Sequence, residues 1–87
     1  MYYIELSQKA YTFFKKLDAH LQERIRTGLK KLEQNLVPSD AKFVGRHNGD
    51  KVFRVRIGDY RALYKIKENN KVILITKLDK RPRVYNR

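Results

Sequence analysis

Apolar and basic positions alternate from Val52 to Ile57, and the alternation resumes after Gly58-Asp59. A two-residue period is the mark of a half-buried strand, and a tight turn with glycine first suits Gly58-Asp59. The turn sets the register: Ile57 falls opposite Tyr60, Arg56 opposite Arg61, Val55 opposite Ala62 and Arg54 opposite Leu63. Phe53, Val55, Ile57, Tyr60, Ala62 and Tyr64 then share the face that enters a core, and Arg54, Arg56 and Arg61 share the other. Like charges directly across a strand pair are mildly destabilising, so Arg56 opposite Arg61 points to something anionic between them. A solvated sheet face that is merely basic is the plain alternative.

The remaining pattern supplies the other elements. Tyr2 to Leu6 reads as a first strand, and Ser7 is placed to cap a helix in which Ala10, Phe13, Phe14 and Leu17 recur at helical spacing. Asp18 caps a second helix, where Leu21, Ile25, Leu29, Leu32 and Leu36 form one apolar stripe. Such a helical hairpin must bury its stripes on a sheet. Val37-Pro38-Ser39-Asp40 ends the second helix, Ala41 to Gly45 is a weaker strand, and Arg46 to Lys51 reads as a polar turn. Leu63 to Lys67 and Val72 to Leu78 are strands joined around Glu68-Asn69-Asn70-Lys71. Under strict alternation Leu63, Leu74 and Leu78 fall off the main core face, where a partner helix or the folded-back tail has something to bury. The predicted fold is α+β: an N-terminal strand, then a helical hairpin packed on one face of a mainly antiparallel sheet, in one domain over residues 1–87.

Composition narrows the chemistry. The chain has 87 residues, of which 41% are hydrophobic, and its ten aromatics (six tyrosines, four phenylalanines) are too many for a disordered polymer despite 34% charge. A net charge of +12 raises affinity for any polyanion, with nucleic acid the first expectation and an anionic membrane surface the second. Cysteine is absent, so neither a disulfide framework nor a thiolate metal site is available. No apolar run approaches a membrane span and no leader pattern opens the chain, so the expectation is a soluble, cytoplasmic protein without a membrane partner. His20, in the first turn of the second helix, and His47, in the polar turn, read as surface residues. Carboxylates are scattered without paired or clustered spacing, and neither a P-loop nor a dinucleotide fingerprint occurs, so no metal and no cofactor is expected. If sheet order follows chain order, Lys80, Arg81 and Arg83 converge on Arg54, Arg56 and Arg61 as a phosphate cradle. The alternative is a frayed basic terminus. Tyr85 either stacks a base or pins the tail.

The segment Phe53-Arg54-Val55-Arg56-Ile57-Gly58-Asp59-Tyr60-Arg61-Ala62-Leu63-Tyr64, the strand-helix-helix start and the closing Lys80-Arg81-Pro82-Arg83-Val84-Tyr85 resemble the RelE family of toxins, within the RelE/ParE superfamily. The Gly-Asp-Tyr-Arg core carries most of that resemblance, and the basic strand and terminal tyrosine resemble the RNA-cleaving branch. The resemblance implies a RelE-like fold and the toxin of a type II toxin-antitoxin pair. It further implies a ribosome-dependent, metal-independent endoribonuclease that cleaves mRNA in the A site. The implied partners are a cognate RelB-like antitoxin and the ribosome with bound mRNA, including 16S rRNA and the A-site codon. Carried over by position, Arg54, Arg56, Arg61, Arg81 and Tyr85 are the implied catalytic residues, and Arg54, Arg56, Arg61, Lys80, Arg81 and Arg83 the implied RNA-binding ones. One departure is that the strand pair, often lysine in bacterial members, is arginine here. ParE-like members share the fold but poison DNA gyrase, so a noncatalytic binding toxin, or a basic RNA-binding module, is the rival reading.

Overall fold

Ser7 and Asp18 turn the chain into its helices by accepting backbone N–H groups three residues on, from Ala10 at 3.1 Å and from Leu21 at 3.0 Å. The computed structural model describes residues 1–81. Strand β1 (Tyr3–Leu6) leads into α1 (Gln8–Lys15) and α2 (Ala19–Gln34), followed by β2 (Lys42–His47), β3 (Asp50–Ile57), β4 (Tyr60–Lys67) and β5 (Val72–Lys80). The strands form one five-stranded sheet in the order β1-β5-β4-β3-β2. Strand β1 runs parallel to β5 and every other pairing is antiparallel, so the α+β architecture read from the sequence is the one observed.

Both helices cover one face of the sheet. Ala10 and Phe14 of α1 and Ile25, Leu29 and Leu32 of α2 join Phe53, Val55, Ile57, Tyr60, Ala62, Tyr64, Ile73 and Ile75 in a single core. Fully burying each large apolar side chain contributes about 1.5–3 kcal/mol, and this is what holds the helical hairpin against the strands. Aromatic packing extends across the sheet: Phe53 stacks on Tyr64 at 5.7 Å between centroids, and Phe13 meets Tyr60 edge-on at 6.0 Å.

The β3–β4 register matches the expected one, with Ile57 opposite Tyr60, Arg56 opposite Arg61, Val55 opposite Ala62 and Arg54 opposite Leu63. Gly58 takes φ +60° at the first turn position, where only glycine is comfortable. The polar segment Arg46–Lys51, in contrast, is mostly strand. Arg46 pairs with Lys51 and His47 with Asp50, and the turn is confined to Asn48 (φ +53°) and Gly49 (φ +86°). Asn-Gly is the strongest short hairpin signal there is, and it outweighs the polarity of its flanks.

Strand β5 departs from strict alternation. Ala62 pairs with Leu78 and Leu63 with Lys77, but Tyr64 pairs with Ile75, leaving Thr76 as an extra, bulged residue. The bulge reverses which face the following side chains occupy. Leu78, expected off the core face, is therefore 3% exposed and belongs to the core, whereas Leu63 and Leu74 remain half-buried on the other face.

Candidate functional site

The face of the sheet that the helices leave uncovered carries a band of basic side chains. Arg54 and Arg56 alternate with the buried Phe53, Val55 and Ile57 of β3, and Arg61 lies directly opposite Arg56 on β4. Arg56 is exposed; Arg54 and Arg61 are half-buried. The three arginines grouped by sequence pattern are thus brought together.

Arg81 joins them by a route the pattern did not specify. Its backbone N–H donates to the Asp59 carbonyl at 2.7 Å and its Nη1 to the Gly58 carbonyl at 3.3 Å, so the chain leaving β5 is tied to the β3–β4 turn. That turn sits at the same end of the sheet as the Arg56–Arg61 pair. Lys80 does not converge. It pairs with Tyr60, whose side chain enters the core, and so occupies the helix side of the sheet. The cause is again the Thr76 bulge, which exchanges the faces of Lys80 and Asp79. Arg83 and Tyr85 lie outside the described residues.

Asp79 is the residue that sequence reasoning missed. Its Oδ1 accepts from Nε of Arg61 at 3.4 Å, and its Oδ2 lies 3.6 Å from Nζ of Lys77. The anion expected beside Arg61 is in part supplied by the protein itself. Only a known bulge position would have revealed it, because regular alternation assigns Asp79 to the face of Ile73 and Ile75.

A second polar cluster occupies the same face nearer the β2–β3 turn. Lys65 is 8% exposed, yet its Nζ lies 2.9 Å from Nδ1 of His47 and 3.8 Å from Asp50 Oδ2, while Lys67 donates to that same oxygen at 3.2 Å. An ammonium has no acceptor capacity, so Nδ1 is the accepting nitrogen of His47 in this contact. His47 is consequently a strand residue within a basic network and not part of a turn. His20 lies elsewhere, at the rim of a groove of about 940 Å³ between α2 and β3, floored by Leu32, Val55 and Ile57. That groove opens on the helix side of the sheet and is also lined by Arg56 and Gly58, but not by Arg61.

A row of guanidinium groups on a sheet face that α1 and α2 leave uncovered presents donors whose fork geometry matches phosphate oxygens. The family model described as the ParE toxin of the type II toxin-antitoxin system parDE matches residues 4–85. The chain belongs to the RelE/ParE toxin family. Over 83 residues the toxin is 26% identical to the protein named RelE1 of Methanocaldococcus jannaschii, covering 94% of this chain and 92% of that one. The RelE-RelB complex of Pyrococcus horikoshii contains a chain that superposes with a TM-score of 0.81 at 27% identity, covering 95% of this chain and 98% of that one. The isolated RelE toxin of E. coli shares the fold, with a TM-score of 0.74 at 17% identity over 97% of this chain and 88% of that one. The toxin is a member of the type II toxin-antitoxin class, and none of its described helices is long and apolar enough to cross a membrane.

Proposed function

We propose that this toxin is an endoribonuclease of the cytoplasm that cuts mRNA in the ribosomal A site without a metal and is held inactive by a RelB-like antitoxin. The observation that carries the reading is the Arg56–Arg61 cross-strand pair, flanked by Arg54 and Arg81, on the sheet face that neither α1 nor α2 covers. The antitoxin partner is supported by the Pyrococcus horikoshii RelE-RelB complex and by the RelBE2 complex of Mycobacterium tuberculosis, whose matched chain has a TM-score of 0.73 at 22% identity.

In this reading the substrate's 2′-hydroxyl attacks the adjacent phosphate, forming a 2′,3′-cyclic phosphate and expelling the 5′-oxygen of the next nucleotide. Arg61 and Arg81 stabilise the charge growing on the phosphate oxygens, and Arg54 and Arg56 bind the backbone and favour departure of the leaving group. An arginine stays charged at any physiological pH, so it stabilises charge and does not take a proton. Tyr85 orients the nucleotide or relays its proton, and Arg83 adds attraction for the backbone, whereas Lys80, on the helix side of the sheet, takes no part. The ribosome holds the codon in a reactive geometry, which reduces the positioning demanded of the toxin.

Induction of the chain in cells, with mapping of mRNA ends, tests the proposal. New ends within translated codons, carrying 5′-hydroxyls and absent for Arg61→Ala, are the expected result; circular dichroism verifies that the variant folds. The match to the ParE model favours one rival, a gyrase poison. Growth arrest with intact mRNA and trapped DNA breaks would establish that rival instead.

A further inference from the structure

Three neighbouring strands carry one row of side chains, Arg56 on β3, Arg61 on β4 and Asp79 on β5. Arg61 and Asp79 are each 30% exposed at the side chain, and an ion pair so accessible to solvent adds only about 0–1 kcal/mol to stability. Its geometry is more informative than its energy. Asp79 engages Nε, the inner nitrogen of the guanidinium, and among the described residues nothing accepts from the two terminal nitrogens. A guanidinium engaged at Nε is biased toward one orientation on its stem, and its outer edge remains a fork that matches two oxygens of a phosphate. The other oxygen of Asp79 lies on Lys77, so neither carboxylate oxygen is directed at a hydroxyl.

The second observation concerns how Asp79 reaches that position. Thr76 is an extra residue in β5, and both its polar ends are tied: Oγ1 donates to the Leu63 carbonyl at 3.3 Å, and its own carbonyl accepts from Ser7 Oγ at 3.0 Å. Ser7 is also the cap of α1, so the bulge is fastened to the start of a helix. With a regular β5, Asp79 would lie on the helix side of the sheet opposite Tyr60, and Lys77 would replace Leu78 opposite the buried Ala62, where an ammonium is costly to bury. The bulge thus delivers an acid to Arg61 and Leu78 to the core in one step.

We propose that Asp79 is a positioning residue for Arg61, clamping Nε so that the terminal nitrogens are presented to a phosphate of single-stranded RNA. The proposal rests on the reading of Arg61 as a phosphate ligand, and its test separates the two. The first readout is the Nε–H resonance of Arg61, assigned by its disappearance in Arg61→Ala. It is resolved and slow to exchange in the wild-type toxin, shifts and broadens in Asp79→Ala, and is retained in Asp79→Asn, which keeps the accepting oxygen. The second readout is single-turnover cleavage on programmed ribosomes. Asp79→Ala slows the step about tenfold or more with ribosome affinity unchanged, and Asp79→Asn recovers most of the rate. An Arg61 resonance unaltered in Asp79→Ala, or an Asn variant as impaired as the Ala variant in both readouts, overturns the clamp; the latter result would assign the carboxylate charge itself to the chemistry. A wild-type toxin that cuts no RNA overturns the proposed function, while the resonance still decides whether Asp79 orients Arg61.

Discussion

Tyr64 shows how much a single buried polar atom can govern. The residue is fully buried, and its hydroxyl donates to the Leu36 carbonyl at 2.8 Å, joining β4 to the chain just after α2. Burial, with a smaller contribution from the charge of Asp40, pushes the phenol up to about 12 from its ordinary 10.0. A proton held more tightly in the folded state stabilises it fully below the unfolded value. That stabilisation is lost as pH rises through the folded value, so the loss falls between about pH 10 and pH 12 and amounts to roughly 2–3 kcal/mol. Tyr64→Phe should lower stability at neutral pH by about 1 kcal/mol through the lost hydrogen bond. Its stability should then fall less steeply than wild type across the alkaline range, as followed by urea unfolding at successive pH values. Parallel curves for the two proteins would remove Tyr64 from the alkaline transition. Also at this scale, Arg54, Arg56 and Arg61 were legible in the sequence because period-two alternation and a glycine-first turn leave one register. Asp79 was not, because one unpaired residue in β5 changes its face.

At the scale of the elements, α2 approaches the sheet closely at Gly28. A Cβ built there would lie 2.7 Å from Cγ2 of Ile57, closer than carbon atoms approach in real contacts. Alanine favours the helix over glycine by about 1 kcal/mol, but Ile57 is β-branched, buried and stiff, and overpacking costs about 1–3 kcal/mol. Gly28→Ala should therefore lower the melting temperature despite the better helix former. A melting temperature equal to or above wild type would mean that Ile57 yields and that the close approach is not a constraint. The helices, the first strand and the β3–β4 hairpin were readable because caps, apolar stripes and turn residues are local. The extent of β2 was under-read because its outer half is polar on both faces, and pairing with β3 outweighs weak strand propensity.

At the scale of the whole molecule, the cations behind a net charge of +12 lie on both sides of the sheet. Described cations on the uncovered sheet face include Arg54, Arg56, Arg61, Lys65, Lys67 and Lys77, whereas those on the exposed sides of α1 and α2, such as Lys9 and Lys30, lie beyond the core. Affinity for single-stranded RNA should fall linearly with salt on logarithmic axes. Removing a true phosphate contact by Arg54→Ala should reduce the slope by about one unit, and Lys30→Ala should leave it unchanged. Equal slopes for Arg54→Ala and wild type, measured by titration at several salt concentrations, would take Arg54 out of the interface.

By itself the sequence determined the helical hairpin, the antiparallel core of the sheet, the register of β3 on β4 and the basic face, since each follows from periodicity and turn chemistry within a short span. It also carried the Gly-Asp-Tyr-Arg signature by which the family is recognised. Tertiary structure alone decided that Leu78 is core, that Lys80 leaves the arginine face and that Asp79 enters it. All three depend on the bulge at Thr76, which is stabilised by Ser7, a residue 69 positions away along the chain. It likewise decided that Arg81 reaches the site through the Gly58-Asp59 turn and that Lys65 is buried against His47. Alternation counts residues along one strand, and it carries no information about an extra residue whose cost is offset by partners on another element.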